Sequence, residues 1–336
     1  MSVGENSFRK GSYCMPAFFS HYRFGLYGYK KMSGNYIKKS VKNHPHVFAL
    51  GCQGPDLFFY HLGSYSSKDN NYGSRLHEEN TGMFLRLLAK KALDAWKISE
   101  SETENTQRKV VSQIQTAYAA GFLAHYCLDC NVHPYVYSIA GSDDDKLCTG
   151  RHFALESDID LQVLKKFDNK RPSDYDASFI VSLNKTETQY VAEQLSYCAT
   201  RALRGVHLSV YQCEAILKEI EIVLKVMKDS RGYKGTLGKN IEKKMYGFQF
   251  ATPLLYNDLF CGNDDACNDQ HQIWLNPFTQ KLSDKSFYDL YDEAMTQYLD
   301  IVSDFSMAFT DEEYRERMFF AIGNRSYKTG MEIIKN

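Results

Sequence analysis

Apolar residues along this chain return every three or four positions, as in Phe84, Leu87, Leu88, Ala92 and Ala95 and again in Ile216, Leu217, Ile220, Val223, Leu224 and Met227. That spacing lines side chains along one face of an α-helix, and the alternation of a half-buried strand is scarce. The pattern predicts an all-α protein with helices over roughly 18–40, 44–60, 77–97, 105–133, 150–166, 184–202, 208–229 and 286–309. Pro134 is expected to close the fourth of these near His133, because the residue before a proline is pushed away from helical geometry. Polar, turn-forming stretches at Ser64 to Gly73, Gly141 to Gly150, Asp168 to Asp176 and Gly232 to Lys244 read as loops, the last with a basic run of Lys239, Lys243 and Lys244. That run reads as a solvated face or an anion-attracting rim. Eight of the ten His precede residue 170. Residues 1–170 are therefore expected to form a helical core that carries the chemistry, with 171–336 adding helices that complete the same domain or form a helical C-terminal subdomain.

Composition narrows the function classes. Forty Lys and Arg against forty-one Asp and Glu leave a formal charge of -1, so no overall field recruits nucleic acid or an anionic membrane, and no stable nucleic-acid complex is expected. Apolar runs such as Tyr118 to Leu123 fall far short of the roughly 20 residues of a membrane-spanning helix. The first residues lack the apolar stretch and cleavage site of a secretory signal, so a cytoplasmic location is the expectation. Nine Cys, an odd number without an export signal, argue for reduced thiols. Cys127 and Cys130 fit a pair of buried thiols on one helix face. Cys261 and Cys267 would pair only in an oxidising compartment.

Two imidazole–carboxylate pairs stand out, His125 with Asp129 and His152 with Glu156, each four residues apart. On a helix this puts both groups of a pair on one face, one turn apart, within reach of a single ion. His133 continues the first face by another turn and joins naturally with His152 and Glu156. Upstream, Gly54-Pro55-Asp56 places a carboxylate before an aromatic run, and His77 stands at an expected helix start; both are candidates to complete the first pair. Any one of these taken alone is more simply a polar helix pair or a turn residue. Together they form a set of His and acids in otherwise apolar helices, and such groups must be paired or ligated to be buried. Zinc takes His nitrogen and carboxylate oxygen, with three or four ligands per ion and a position kept for water in catalytic sites.

The ordered set Ser20-His21, Gly54-Pro55-Asp56, His77, His125-x-x-x-Asp129, His133-Pro134 and His152-x-x-x-Glu156 resembles the zinc-dependent phospholipase C group of bacteria. Single-strand-specific zinc nucleases share that group's fold and a similar ligand set. The resemblance implies a multi-helix phospholipase C/nuclease-like bundle in which Asp56, His77, His125 and Asp129 bind one zinc and His133, His152 and Glu156 a second. A third would lie at His21 with Asp129 as a bridge. In the secreted enzymes the third ion also takes the amino group and carbonyl of an N-terminal Trp; no Trp precedes His21 here, and two zincs are expected, with a third possible. The interval from Asp129 to His133 is also shorter than in those enzymes. Leu57 stands where choline-binding relatives carry an aromatic residue after the Asp, and Phe58, Phe59 and Tyr60 follow it.

The expected function is zinc-dependent hydrolysis of a phosphate ester, a phospholipid or another diester, with Asp56 orienting or deprotonating the attacking water. A zinc-stabilised scaffold without catalysis and a nuclease of the same fold are the alternatives. Further along, His271 with Trp274, Asn276 and Pro277 is expected to cover the edge of the cleft or pack the later helices.

Overall fold

A computed structural model describes residues 18–33, 36–61, 71–101, 106–141, 148–229, 232–246, 255, 258 and 264–334. Cys261 lies outside the described residues, as do the side chains of Lys239, Lys243 and Lys244. The fold is all-α. Helices α1 (Phe18–Lys31), α2 (Tyr36–Asn43) and α3 (Pro45–Gly51) lead into a 3-10 helix (Gly54–Tyr60), then α4 (Tyr72–Glu78), α5 (Thr81–Ser101), α6 (Thr106–Ala140) and α7 (Cys148–Asp168). After a second 3-10 turn come α8 (Ala177–Ile180), α9 (Lys185–Ala202), α10 (Val210–Met227), α11 (Tyr233–Tyr246), the two-stranded hairpin of β1 (Trp274–Leu275) and β2 (Leu282–Ser283), α12 (Phe287–Met307) and α13 (Glu312–Ile322). No helix among the described residues is long and apolar enough to cross a membrane.

Helix α6 is the central post. Its residues from Gln115 to Cys130 are buried on every side, as expected of a helix wrapped by others, and α1, α2, α3, α5, α7, α9 and α12 all pack on it. Buried side chains from Phe18 to Tyr327 belong to one continuous apolar cluster. Each apolar side chain buried there contributes about 1.5–3 kcal/mol relative to exposure. Local sequence sets the helix starts: Asn184 with Glu187, Ser209 with Gln212 and Ser286 with Asp289 form reciprocal capping boxes at α9, α10 and α12.

Several helix boundaries differ from the sequence expectation. The helix expected over 18–40 is two helices, α1 ending at Lys31 and α2 starting at Tyr36. The one expected over 44–60 ends at Gly51 and resumes as the 3-10 helix, because Gly54 takes a left-handed φ of 51°. Asn80, at φ 49°, separates α4 from α5 and leaves His77 at the end of a helix rather than the start of one. Pro134 does not stop α6. The proline removes one amide and crowds the carbonyl of Cys130, but Tyr135, Val136, Tyr137 and Ala140 beyond it are buried, and the Tyr135 hydroxyl donates to the carbonyl of Ala266 at 2.7 Å. Packing outweighs the lost bond. The stretch expected as a loop at 232–244 is helical, and α13 and the hairpin escaped the periodicity altogether.

Candidate metal centre

The groups singled out in the sequence come from five elements, α6 among them. His125, Asp129 and His133 follow one another down one face of α6, and all three are buried. α7 lies alongside and presents His152 and Glu156. α1 brings His21, the 3-10 helix Asp56, and α4 His77. His21, Asp56, His125 and Asp129 each offer a ligand atom within 4.8 Å of the others, and His133, His152 and Glu156 form a second such set.

Within the first set His125 Nε2 stands 2.9 Å from Asp129 Oδ2 and 3.4 Å from Asp56 Oδ2, and His21 Nε2 is 3.1 Å from Asp129 Oδ1. The His21 and His125 rings stack at 4.1 Å. His77 sits at the margin, with Nε2 3.0 Å from Asp56 Oδ1 and 3.8 Å from Asp129 Oδ2. The four-residue set whose ligand atoms lie within 4.8 Å of one another contains His21, where the family resemblance puts His77. In the second set His152 Nε2 and His133 Nε2 approach Glu156 Oε1 at 3.0 and 3.5 Å. The two sets adjoin through α6, where His133 Nδ1 is 3.8 Å from Asp129 Oδ2.

Three of the imidazoles are held from behind by backbone. Nδ1 of His77, His125 and His133 donates to the carbonyls of Gly73, Cys52 and Tyr327 at 2.7, 3.1 and 3.0 Å. A carbonyl can only accept, so Nδ1 carries the proton and Nε2 keeps its lone pair, the arrangement seen behind metal-binding His. Gly54 makes the His125 contact possible: a Cβ there would run into the His125 ring, and φ is left-handed besides. Phe59 stacks on His77 at 5.5 Å, and Tyr137 meets His152 edge-on at 5.0 Å.

The inward atoms face one another closely but make no hydrogen bond. His77 Nε2, His125 Nε2, Asp56 Oδ2, both oxygens of Asp129 and Glu156 Oε2 are buried without a hydrogen bond. A buried unsatisfied polar atom costs about 1–3 kcal/mol, and so many converging on one place suit a cation-binding site. Three carboxylates among imidazoles also match the charge and the oxygen–nitrogen donor set of zinc. The electrostatics of the protein groups alone show the same strain. Burial pushes the His125 imidazole down to about 3 and also lowers His77. Of the neighbouring carboxylates, burial and then Asp129 hold the Asp56 carboxyl well above its usual range. Burial works against Asp129 too, but His125, His133 and His21 outweigh it and keep Asp129 ionised. Cations placed among these groups would favour the ionised form of every carboxylate.

Spacing did not single out Asp160, although it continues the His152 and Glu156 face of α7 by one more turn. It accepts hydrogen bonds from Phe19 N at 2.9 Å, Ser20 N at 2.7 Å and Ser20 Oγ at 2.6 Å, and so fixes the first turn of α1 beside His21. Burial raises its carboxyl to about 6 against the pull of those bonds. Further along, Trp274 of the hairpin packs on Tyr135 at 5.5 Å and Phe278 on Tyr137 at 5.6 Å, so this segment covers the flank of the second set. His271 is exposed there and donates to the carbonyl of Asp284, away from both sets. Cys127 and Cys130 are buried free thiols.

An all-α bundle with two buried histidine–carboxylate sets around one post defines a helical protein with a candidate metal centre. The zinc dependent phospholipase C family model matches residues 20–203, and the chain belongs to that family. No match was found among curated proteins or among solved structures.

Proposed function

We propose that the chain is a zinc-dependent hydrolase of phosphodiesters of the phospholipid type. The observation that carries the reading is the convergence of buried Nε2 and carboxylate oxygen atoms that make no hydrogen bond, from His77, His125, Asp56, Asp129 and Glu156, on one buried place, in a chain of the zinc dependent phospholipase C family. His21, Asp56, His77, His125 and Asp129 would hold zinc on one side, and His133, His152 and Glu156 on the other. Bound zinc supplies Lewis-acid polarisation of the phosphoryl oxygens and makes a water acidic enough to attack at neutral pH. Asp129 lies between the two sets and holds them in register. Asp56 Oδ2, which no protein donor occupies, takes the proton from the attacking water. No side chain needs to act as nucleophile. Leu57 is buried in the apolar core and offers no face to a quaternary ammonium, which wants an aromatic cage; choline is not the head group this reading favours.

The test is elemental analysis of the purified protein, followed by turnover of phospholipid vesicles, bis-(p-nitrophenyl) phosphate and single-stranded DNA before and after chelation. Zinc-dependent release of phosphorylated head group is expected. Cleavage of the DNA alone would make the chain a nuclease, and zinc without any turnover would make it a scaffold. Asp56→Ala is expected to cut turnover roughly 10²–10⁴-fold, as loss of a general base does, with less loss of zinc than His125→Ala. Complete loss of zinc from both variants would remove the base role from Asp56.

A further inference from the structure

The segment after α13 lies far beyond the residues that the family model matches, yet it reaches the metal centre. Its anchors are numerous. Asn324 Oδ1 accepts from Gly82 N at 3.0 Å, the Arg325 carbonyl accepts from Thr81 Oγ1 at 2.7 Å, and Arg325 N donates to the Tyr126 hydroxyl at 3.2 Å. Ser326 N donates to the Met331 carbonyl and Gly330 N to the Ser326 carbonyl, each at 2.9 Å, which folds 326–331 into a closed turn. Gly330, at φ 69°, lies against the carbonyl of Cys130, the one that Pro134 leaves without its helical amide; a Cβ on Gly330 would collide with it. The irregularity of α6 is thus the seat of this turn.

Tyr327 is the residue so positioned. Its amide donates to the carbonyl of His77 at 3.0 Å, and its own carbonyl accepts from His133 Nδ1 at 3.0 Å. Its ring is 1 % exposed and lies 5.1 Å from the His77 ring, 5.7 Å from His125 and 5.0 Å from Tyr126. One residue therefore touches imidazoles of both sets. The carbonyl fixes which nitrogen of His133 is free, and the ring closes the space behind His77 and His125.

We infer that the C-terminal turn is a positioning element of the metal centre, with Tyr327 holding His133 and His77 in ligating orientation. The inference rests on reading the two sets as a zinc site. Groups behind metal-binding His cost about 10- to 100-fold in metal affinity when removed, and that is the size of effect expected here.

Zinc affinity and stoichiometry of the full chain, by competition with a chromophoric chelator, make the test, with the absorption spectrum of the cobalt-loaded protein reporting ligand geometry. Gly330→Val pushes the turn off Cys130 and draws the Tyr327 carbonyl from His133 while the ring remains; Tyr327→Ala removes the ring alone. Each is expected to weaken zinc about 10- to 100-fold and shift the cobalt spectrum while helical circular dichroism is retained, and Tyr327→Phe recovers the affinity that Tyr327→Ala loses. Should Gly330→Val unfold, Thr81→Ala removes one anchor of the turn without adding bulk and is expected to move the spectrum the same way. Folded variants that bind zinc as tightly as the unaltered chain, with the same cobalt spectrum, overturn the inference and leave the metal site standing. An unaltered chain that binds no zinc sinks both.

Discussion

The two ligand-capable sets are built differently. His133, His152 and Glu156 come from consecutive helices, and two of the three, His152 and Glu156, lie one turn apart on α7. His21, Asp56, His125 and Asp129 come from α1, the 3-10 helix and α6, with His77 of α4 at their edge. A pair one helical turn apart exists wherever the helix exists. A set assembled from several elements is only as ordered as the contacts between them. The first set needs Gly54 to let the His125 ring in, the Cys52 carbonyl to orient that ring, and Asp160 to hold α1 in place. The second needs little beyond α6, α7 and the turn that carries Tyr327.

The strongest test of that contrast is Asp129→Ala. Its carboxylate faces His21, His125 and His133, so its loss touches both sets at once. Zinc at both places is expected to fall and turnover to drop to background; elemental analysis showing unchanged zinc would refute the shared role. A more selective change is His152→Ala. It removes a member of the locally built set alone, and one zinc is expected to be lost while the other remains bound, with turnover strongly reduced. If both ions leave together, the sets are not separable in the way described. The smallest effect is expected from Asp160→Ala, which touches no candidate ligand. The hydrogen bonds of a charged acceptor contribute about 1.5–3 kcal/mol, so denaturant unfolding should show a loss of that order. Zinc at the His21 side is expected to weaken more than zinc at the His133 side, and equal weakening would count against the capping role of Asp160.

The legible part of this protein follows from the same contrast. Four-residue spacing in His125–Asp129–His133 and His152–Glu156 announced two helix faces because helical periodicity is a local property, read directly from the order of residues. The same periodicity placed most of the long helices, and the starts expected at 184, 208 and 286 fall within a residue or two of those observed, where Asn184, Ser209 and Ser286 cap the helices. Asp56 and His77 carry no such spacing and entered only as candidates to complete the first pair, and His21 drew attention only through its match to a known family's order. Asp160 was within reach of the spacing argument, since it extends the α7 face. Tyr327 was not, because its part is played by a backbone carbonyl, which every residue possesses.

By itself, then, the sequence determined an all-α chain with two imidazole–carboxylate helix faces and a charge balance that leaves any phosphate recognition to a local site. Tertiary structure decided which further groups reach those faces, that α6 runs on past Pro134, and that a turn near the C-terminus stands behind His77 and His133. The physical reason is range. Helix faces arise from hydrogen bonds four residues apart, whereas a buried polar centre forms only when distant segments are packed tightly enough that each carbonyl and imidazole has one place to go.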